Sequence, residues 1–125
     1  MDVDTAVRAW IEGWTKGWQA GDADAIGALY TEDAVFRSHP FREQERSARD
    51  YAVRAFADEE LVECRFGEPV AHGDRAAVEY WAILSAEGNE ETLAGIALLS
   101  FAPDGLVVEQ RDYWAMQPGR TPANF

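Results

Sequence analysis

From Asp4 to Ala20 the apolar side chains fall at Val7, Trp10, Ile11, Trp14 and Trp18, with Arg8, Glu12, Thr15 and Gln19 between them. That is the spacing of one helix face, and it predicts an amphipathic helix over residues 4–20. Gly13 and Gly17 interrupt the pattern at some cost to helix propensity, so close packing against their side is expected. Gly21 stops this helix and Asp22 caps a second, from Ala23 to about Leu29. A short apolar run, Ala34 to Arg37, predicts a strand. Ser47 to Asp50 then has the form of a capping box and opens a third helix, Ala48 to Ala57, with Tyr51, Ala55 and Phe56 on one stripe.

After Glu60 the period changes. Strands are expected at Leu61–Ala71, Arg75–Ser85, Thr92–Ala102 and Leu106–Met116, separated by HGDR, AEGNE and PDG, which carry hairpin-turn chemistry. Four consecutive hairpin strands make an antiparallel sheet, and helices gathered in the first half make the class α+β. In Arg75–Leu84, Ala77, Glu79, Trp81 and Ile83 alternate with Ala76, Val78, Tyr80, Ala82 and Leu84. Both faces are mostly apolar, so both need cover. The helices supply one cover, and a partner subunit is the expected other, which predicts a homodimer with Val78, Tyr80, Ala82 and Leu84 near its contact. In the last strand Val107, Glu109, Arg111, Tyr113 and Ala115 alternate with Val108, Gln110, Asp112, Trp114 and Met116. Periodicity cannot choose between these sets, because a slip of one residue exchanges them.

Composition narrows the partners. At 125 residues the chain is expected to form a single domain, 1–125. A net charge of -12 argues against nucleic acid and anionic membranes. No apolar run reaches the ~20 residues of a membrane span, and the N-terminus lacks the order of a signal peptide. Cys64 is alone, without disulfide or zinc spacing, and His39 and His72 make no metal-ligand pattern, so no metal or cofactor is expected. A cytoplasmic protein is the expectation.

The stretches GWQAGDADAIGALYTEDAVF (17–36), GDRAAVEYW (73–81) and PDGLVVEQRDYW (103–114) resemble the nuclear transport factor 2-like superfamily, and within it the SnoaL-like bacterial branch of polyketide cyclases and ketosteroid isomerase-like proteins. The resemblance implies three N-terminal helices packed in the concave face of a strongly curved antiparallel sheet, a cone enclosing one deep pocket. It does not fix an activity, because this fold hosts enzymes and non-enzymatic modules alike. Trp14 stands where ketosteroid isomerases carry an oxyanion-hole tyrosine, and Ser38 or His39 where they carry an aspartate base. Ala115 and Ala77 stand where limonene-epoxide hydrolases carry acids. Neither catalytic set is intact. The same comparison implies that Glu79 and Trp81, with Arg111 and Tyr113, face inward.

On that basis the expected pocket joins His39 and Glu79 as acid/base groups to Trp14, Trp18, Tyr30, Phe41, Trp81, Arg111 and Tyr113 as ligand contacts. Each has a plainer reading. The tryptophan stripe is core packing, and Tyr30 and Tyr113 are core tyrosines with partnered hydroxyls. His39 is a capped strand end, Glu79 is a solvated outer-face residue, and Arg111 is the structural partner of a carboxylate, Glu79 or Glu109. The cluster Arg37, Arg42, Arg46, Arg49 and Arg54 is a solvated set pairing with nearby acids rather than a funnel for anions. Two functions remain open. One is a small-molecule-binding protein performing cofactor-free isomerisation, cyclisation or dehydration on a compact, largely apolar metabolite. In it His39 shuttles a proton, Glu79 assists, and Arg111 or Tyr113 steadies an oxyanion. The other is a non-catalytic ligand-binding or dimerisation module.

Overall fold

The computed structural model describes residues 1–125. Helix α1 (Val3–Ala20) is capped by Asp2, whose carboxylate accepts from Thr5 N–H at 2.8 Å. Its buried face carries Ala6, Val7, Trp10 and Trp14. Gly13 and Gly17 mark where α2 (Ala23–Gly27) and the turn after it press against α1. A Cβ at Gly13 would stand 2.7 Å from Leu29 Cδ2, and one at Gly17 would stand 2.7 Å from Ile26 Cδ1. Close packing was the expectation, and α2 accounts for it.

Strand β1 (Tyr30–Arg37) precedes α3 (Ala48–Asp58), whose N-cap Ser47 accepts from Asp50 N–H at 3.0 Å. The remainder is sheet: β2 (Glu60–Phe66), β3 (Val70–His72), β4 (Arg75–Ala86), β5 (Asn89–Phe101) and β6 (Val107–Pro118). Strand order is β1-β6-β5-β4-β2, with β3 also paired to β4. All pairings are antiparallel except β1 with β6, which runs parallel. The class is α+β, three helices against one curled sheet. No helix is long and apolar enough to cross a membrane.

Two expectations about strands need correction. The run Leu61–Ala71 is not one strand but β2 and β3, broken across Gly67 to Pro69, because proline cannot supply a ladder N–H. The faces are also reversed. Val78, Tyr80, Ala82 and Leu84 are 1, 6, 0 and 3% exposed and turn toward the helices, so they cannot form a dimer contact. The outer face receives part of its cover from the chain's own tail. Trp81 Nε1 donates to Thr121 O at 2.8 Å, Thr92 Oγ1 donates to Gly119 O at 2.7 Å, and the Phe125 ring packs edge-on to Trp81.

Candidate functional site

The β4–β5 turn places Glu87 and Gly88 at positive φ and pairs Ala86 with Asn89. That register sets Tyr80 beside Gly95, and β6 continues the row with Trp114. Gly95 is there because nothing larger fits: a Cβ would lie 2.7 Å from Trp114 Cβ and 2.8 Å from Tyr80 Oη. Two aromatic side chains therefore rise side by side from the concave face. Across from them, α1 presents Trp10, Trp14 and Trp18, with rings tilted or edge-on to one another at 6.2 and 5.9 Å. Between sheet and helices lies a cavity of about 270 Å³. Its walls include those tryptophans with Tyr51, Phe56, Phe66, Tyr80, Leu93 and Trp114; its polar residues are Gln110, Asp112, Arg42, Glu59 and Glu91. An aromatic enclosure with few polar groups is how small-ligand sites are built, and this volume suits a compact ligand.

Asp112 is the buried carboxyl of this cavity. It lies on the inward row of β6, opposite Ala97 and only 9% exposed. Burial drives its carboxyl upward, while hydrogen bonding by Gln110 and Tyr80 pulls it down. Burial wins, and the pKa stands at about 7. Gln110 Nε2 donates to Asp112 Oδ1 at 2.9 Å. The Tyr80 hydroxyl is close enough to interact with the same carboxyl, and burial raises its own pKa. Behind Gln110 stands Tyr30, whose hydroxyl accepts from Trp14 Nε1 at 2.8 Å and Trp10 Nε1 at 3.1 Å and donates to Gln110 Oε1. At the mouth, Glu59 is raised by burial, then by the neighbouring charges of Glu91 and Asp58, with Arg42 opposing. No cluster of three or more His, Cys, Asp or Glu side chains is arranged to hold a metal ion.

Of the residues expected at the pocket, Trp14 and Trp18 line the cavity, and Tyr30 is 7% exposed just behind it. The others lie elsewhere. Glu79, Trp81, Arg111 and Tyr113 stand on the convex face, since the inward rows are Tyr80–Gly95–Trp114 and Ala97–Asp112. Tyr113 is 45% exposed there, and Trp81 lies under the tail. Phe41 is 92% exposed and covers nothing. His39 is half-buried but outside the cavity. Its Nδ1 accepts from Phe41 N–H at 3.2 Å, and its ring meets Trp114 edge-on with centroids 4.6 Å apart.

The segment Arg37–Phe41 is therefore a capped strand end with a supporting task. Ser38 is fully buried, and its carbonyl accepts from Trp114 Nε1 at 2.5 Å. His39 and the Arg42 guanidinium, 5.1 Å from the ring centroid, hold the same indole from other sides. Trp114 is thus fixed as a wall. The residues that sequence reasoning missed, above all Tyr80, Gln110, Asp112 and Trp114, were on the alternative face of each strand. The signal was available in the AEGNE turn: a two-residue turn on Glu87-Gly88 puts Tyr80 next to Gly95, and a glycine there leaves room for a ring.

A family model for the SnoaL-like domain matches residues 7–110. The chain belongs to that family. The match stops two residues before Asp112. Among solved structures, this SnoaL-like domain is similar to the epoxide hydrolase/cyclase-like enzyme SalBIII, described for its role in pyran ring formation in the polyether salinomycin. They share 16% identity over 90% of this chain and 95% of that one, with a TM-score of 0.76. It is also similar to an LEH-like epoxide hydrolase of M. tuberculosis, with 19% identity, 89 and 84% coverage and a TM-score of 0.71. A computationally designed 17-OHP binder matches with 20% identity, 91 and 98% coverage and a TM-score of 0.73. At such identities these likenesses concern the fold. No curated protein matches the sequence.

Proposed function

We propose that this SnoaL-like domain binds a compact, largely apolar molecule bearing an acceptor oxygen and carries out cofactor-free proton transfer on it, in an isomerisation, cyclisation or dehydration. The supporting observation is Asp112. A carboxyl with a pKa of about 7, set in an aromatic cavity beside the Tyr80 hydroxyl, populates both its acid and its base form near neutral pH. In the acid form, Asp112 and Tyr80 are two donors for one ligand oxygen, able to steady negative charge that develops on it. In the base form, Asp112 accepts a proton from a carbon or hydroxyl next to that oxygen. Trp14 and Trp18 supply the apolar surface that holds the ligand.

The same fold serves the enzyme SalBIII and the designed 17-OHP binder, so shape supports either catalysis or binding alone. Asp112 favours catalysis, because a carboxyl that titrates near neutral pH can both give and take a proton, whereas binding alone would need only its donor form. Small cyclic enones, epoxides and hydroxyketones, screened by thermal shift and then for product, test the reading. Asp112→Asn should keep affinity within a few-fold and lower turnover by ~10²-fold. Binding without turnover in the unaltered protein would instead establish the ligand-binding module, and full turnover in Asp112→Asn would remove Asp112 from the mechanism.

A homodimer remains part of the proposal, now through the convex face. Ile96 and Tyr113, opposite one another in register, are 44 and 45% exposed beside half-buried Leu98. Light scattering at micromolar concentration should give twice the 13.9 kDa chain mass, and Ile96→Asp should return it to one chain. A monomer in the unaltered protein would refute this.

A further inference from the structure

The hydrogen bonds behind Asp112 have only one possible direction. Indole N–H groups donate and never accept. With Trp10 and Trp14 both donating to Tyr30 Oη, both acceptor positions of that oxygen are filled, and its single proton must go to its third neighbour, Gln110. An amide nitrogen there would set donor against donor, so the atom facing Tyr30 is Oε1. Nε2 is then the end that faces Asp112 Oδ1, at 2.9 Å. Trp10, Trp14, Tyr30 and Gln110 are 3, 7, 7 and 2% exposed, so solvent offers no easy alternative partner.

We infer that Tyr30 is a positioning residue for Asp112: its hydroxyl locks the Gln110 amide so that Oδ1 is always an acceptor and the transferable proton belongs to the other carboxyl oxygen. This rests on the reading that Asp112 transfers a proton. The consequence is that Oδ1 is held by the protein and the other oxygen is left for the ligand. Remaining groups around Asp112 do not supply the same control. Tyr80 of β4 bonds the same carboxyl, but through a hydroxyl that can turn either to donate or to accept; Tyr51 of α3 is a neutral neighbour, β5 offers Ala97, and the charged Arg42, Glu59 and Glu91 also line the cavity.

The test is a titration without ligand. The ¹³Cγ resonance of Asp112, assigned by its loss in Asp112→Asn, is followed against pH in the unaltered chain, Tyr30→Phe, Gln110→Leu and the double variant. A donor to the carboxylate favours the charged form, so its loss raises the midpoint. Gln110→Leu should move the midpoint upward by about half to one pH unit, the equivalent of one hydrogen bond. Tyr30→Phe should move it in the same direction, and the double variant should match Gln110→Leu alone, because Tyr30 acts only through Gln110. A Tyr30→Phe midpoint unchanged from the unaltered chain, or additive shifts in the double variant, would overturn the inference. Should Tyr30→Phe fail to fold, Gln110→Leu can still overturn the inference, since an unchanged midpoint there means that Gln110 does not hold Asp112. A midpoint near the ordinary 3.8 in the unaltered chain would instead defeat the proposed function itself, so the two failures are distinguishable.

Discussion

Replacing Asp112 with asparagine should make the protein more stable, and increasingly so as pH rises. Asparagine keeps the side-chain volume and an oxygen for Gln110 Nε2, but it has no proton to lose. The folded pKa of Asp112 is about 7 against an ordinary 3.8, so between those values the folded chain holds a proton that the unfolded chain has released. Stability associated with the protonated carboxyl is therefore complete below the unfolded value. It is lost progressively as pH rises, and the loss levels off above the folded value. Relative to the asparagine variant, the aspartate should cost about 1.7 kcal/mol at about pH 5 and about 4 kcal/mol at about pH 8. These are ceilings, because Asp112 is 9% exposed toward the cavity and water there lessens the burial cost. Urea unfolding of both proteins at four pH values measures the difference, and subtraction cancels the other titrating groups. A difference that stays flat with pH would refute the elevated pKa, as would one that shrinks as pH rises.

Gly95→Ala should lower stability by about 1–3 kcal/mol, since the new methyl must displace Trp114 or Tyr80; an unchanged thermal midpoint would refute that close approach. His39→Ala should leave turnover within about two-fold and cost about 1 kcal/mol by loosening Trp114, whereas a ~10²-fold loss would restore His39 to proton transfer.

The helices were legible because each carries its own punctuation: Asp2, Asp22 and Ser47 cap them, and the Trp10–Trp14–Trp18 stripe has a single solution on a helix. The site was not legible in the same way. On β4 both faces are apolar, for two different reasons: Val78, Tyr80, Ala82 and Leu84 meet the helices, while Trp81 meets the tail and Thr92 binds it beside them. Hydrophobicity reports burial but not by what, and a tail of irregular sequence gives no periodic warning that it will fold back. Choosing the face by analogy then carried Glu79 and Arg111 inward and Asp112 outward. Turn geometry is more local: the Glu87-Gly88 turn fixes the β4–β5 register and sets Tyr80 beside Gly95 without reference to any other protein, though only packing against the helices selects the inward face.

The Tyr30–Gln110 hydrogen bond joins residues 80 apart in sequence, across the one parallel pairing of the sheet. Hairpins β4–β5 and β5–β6 close over a few residues each, whereas closing an 80-residue loop of flexible chain costs about 4 kcal/mol in entropy. Docking of β1 on β6 is thus the contact whose cost only the nearly complete tertiary structure can offset. A chain in which helices and hairpins have formed but β1 is still loose has a curled sheet and an aspartate, but the aspartate is solvated and its amide partner is free to turn. Such a species titrates like an ordinary carboxylic acid. On the proposed function, a form in which β1 is still loose lacks the group that transfers the proton, and the perturbed carboxyl serves as a marker of the finished molecule.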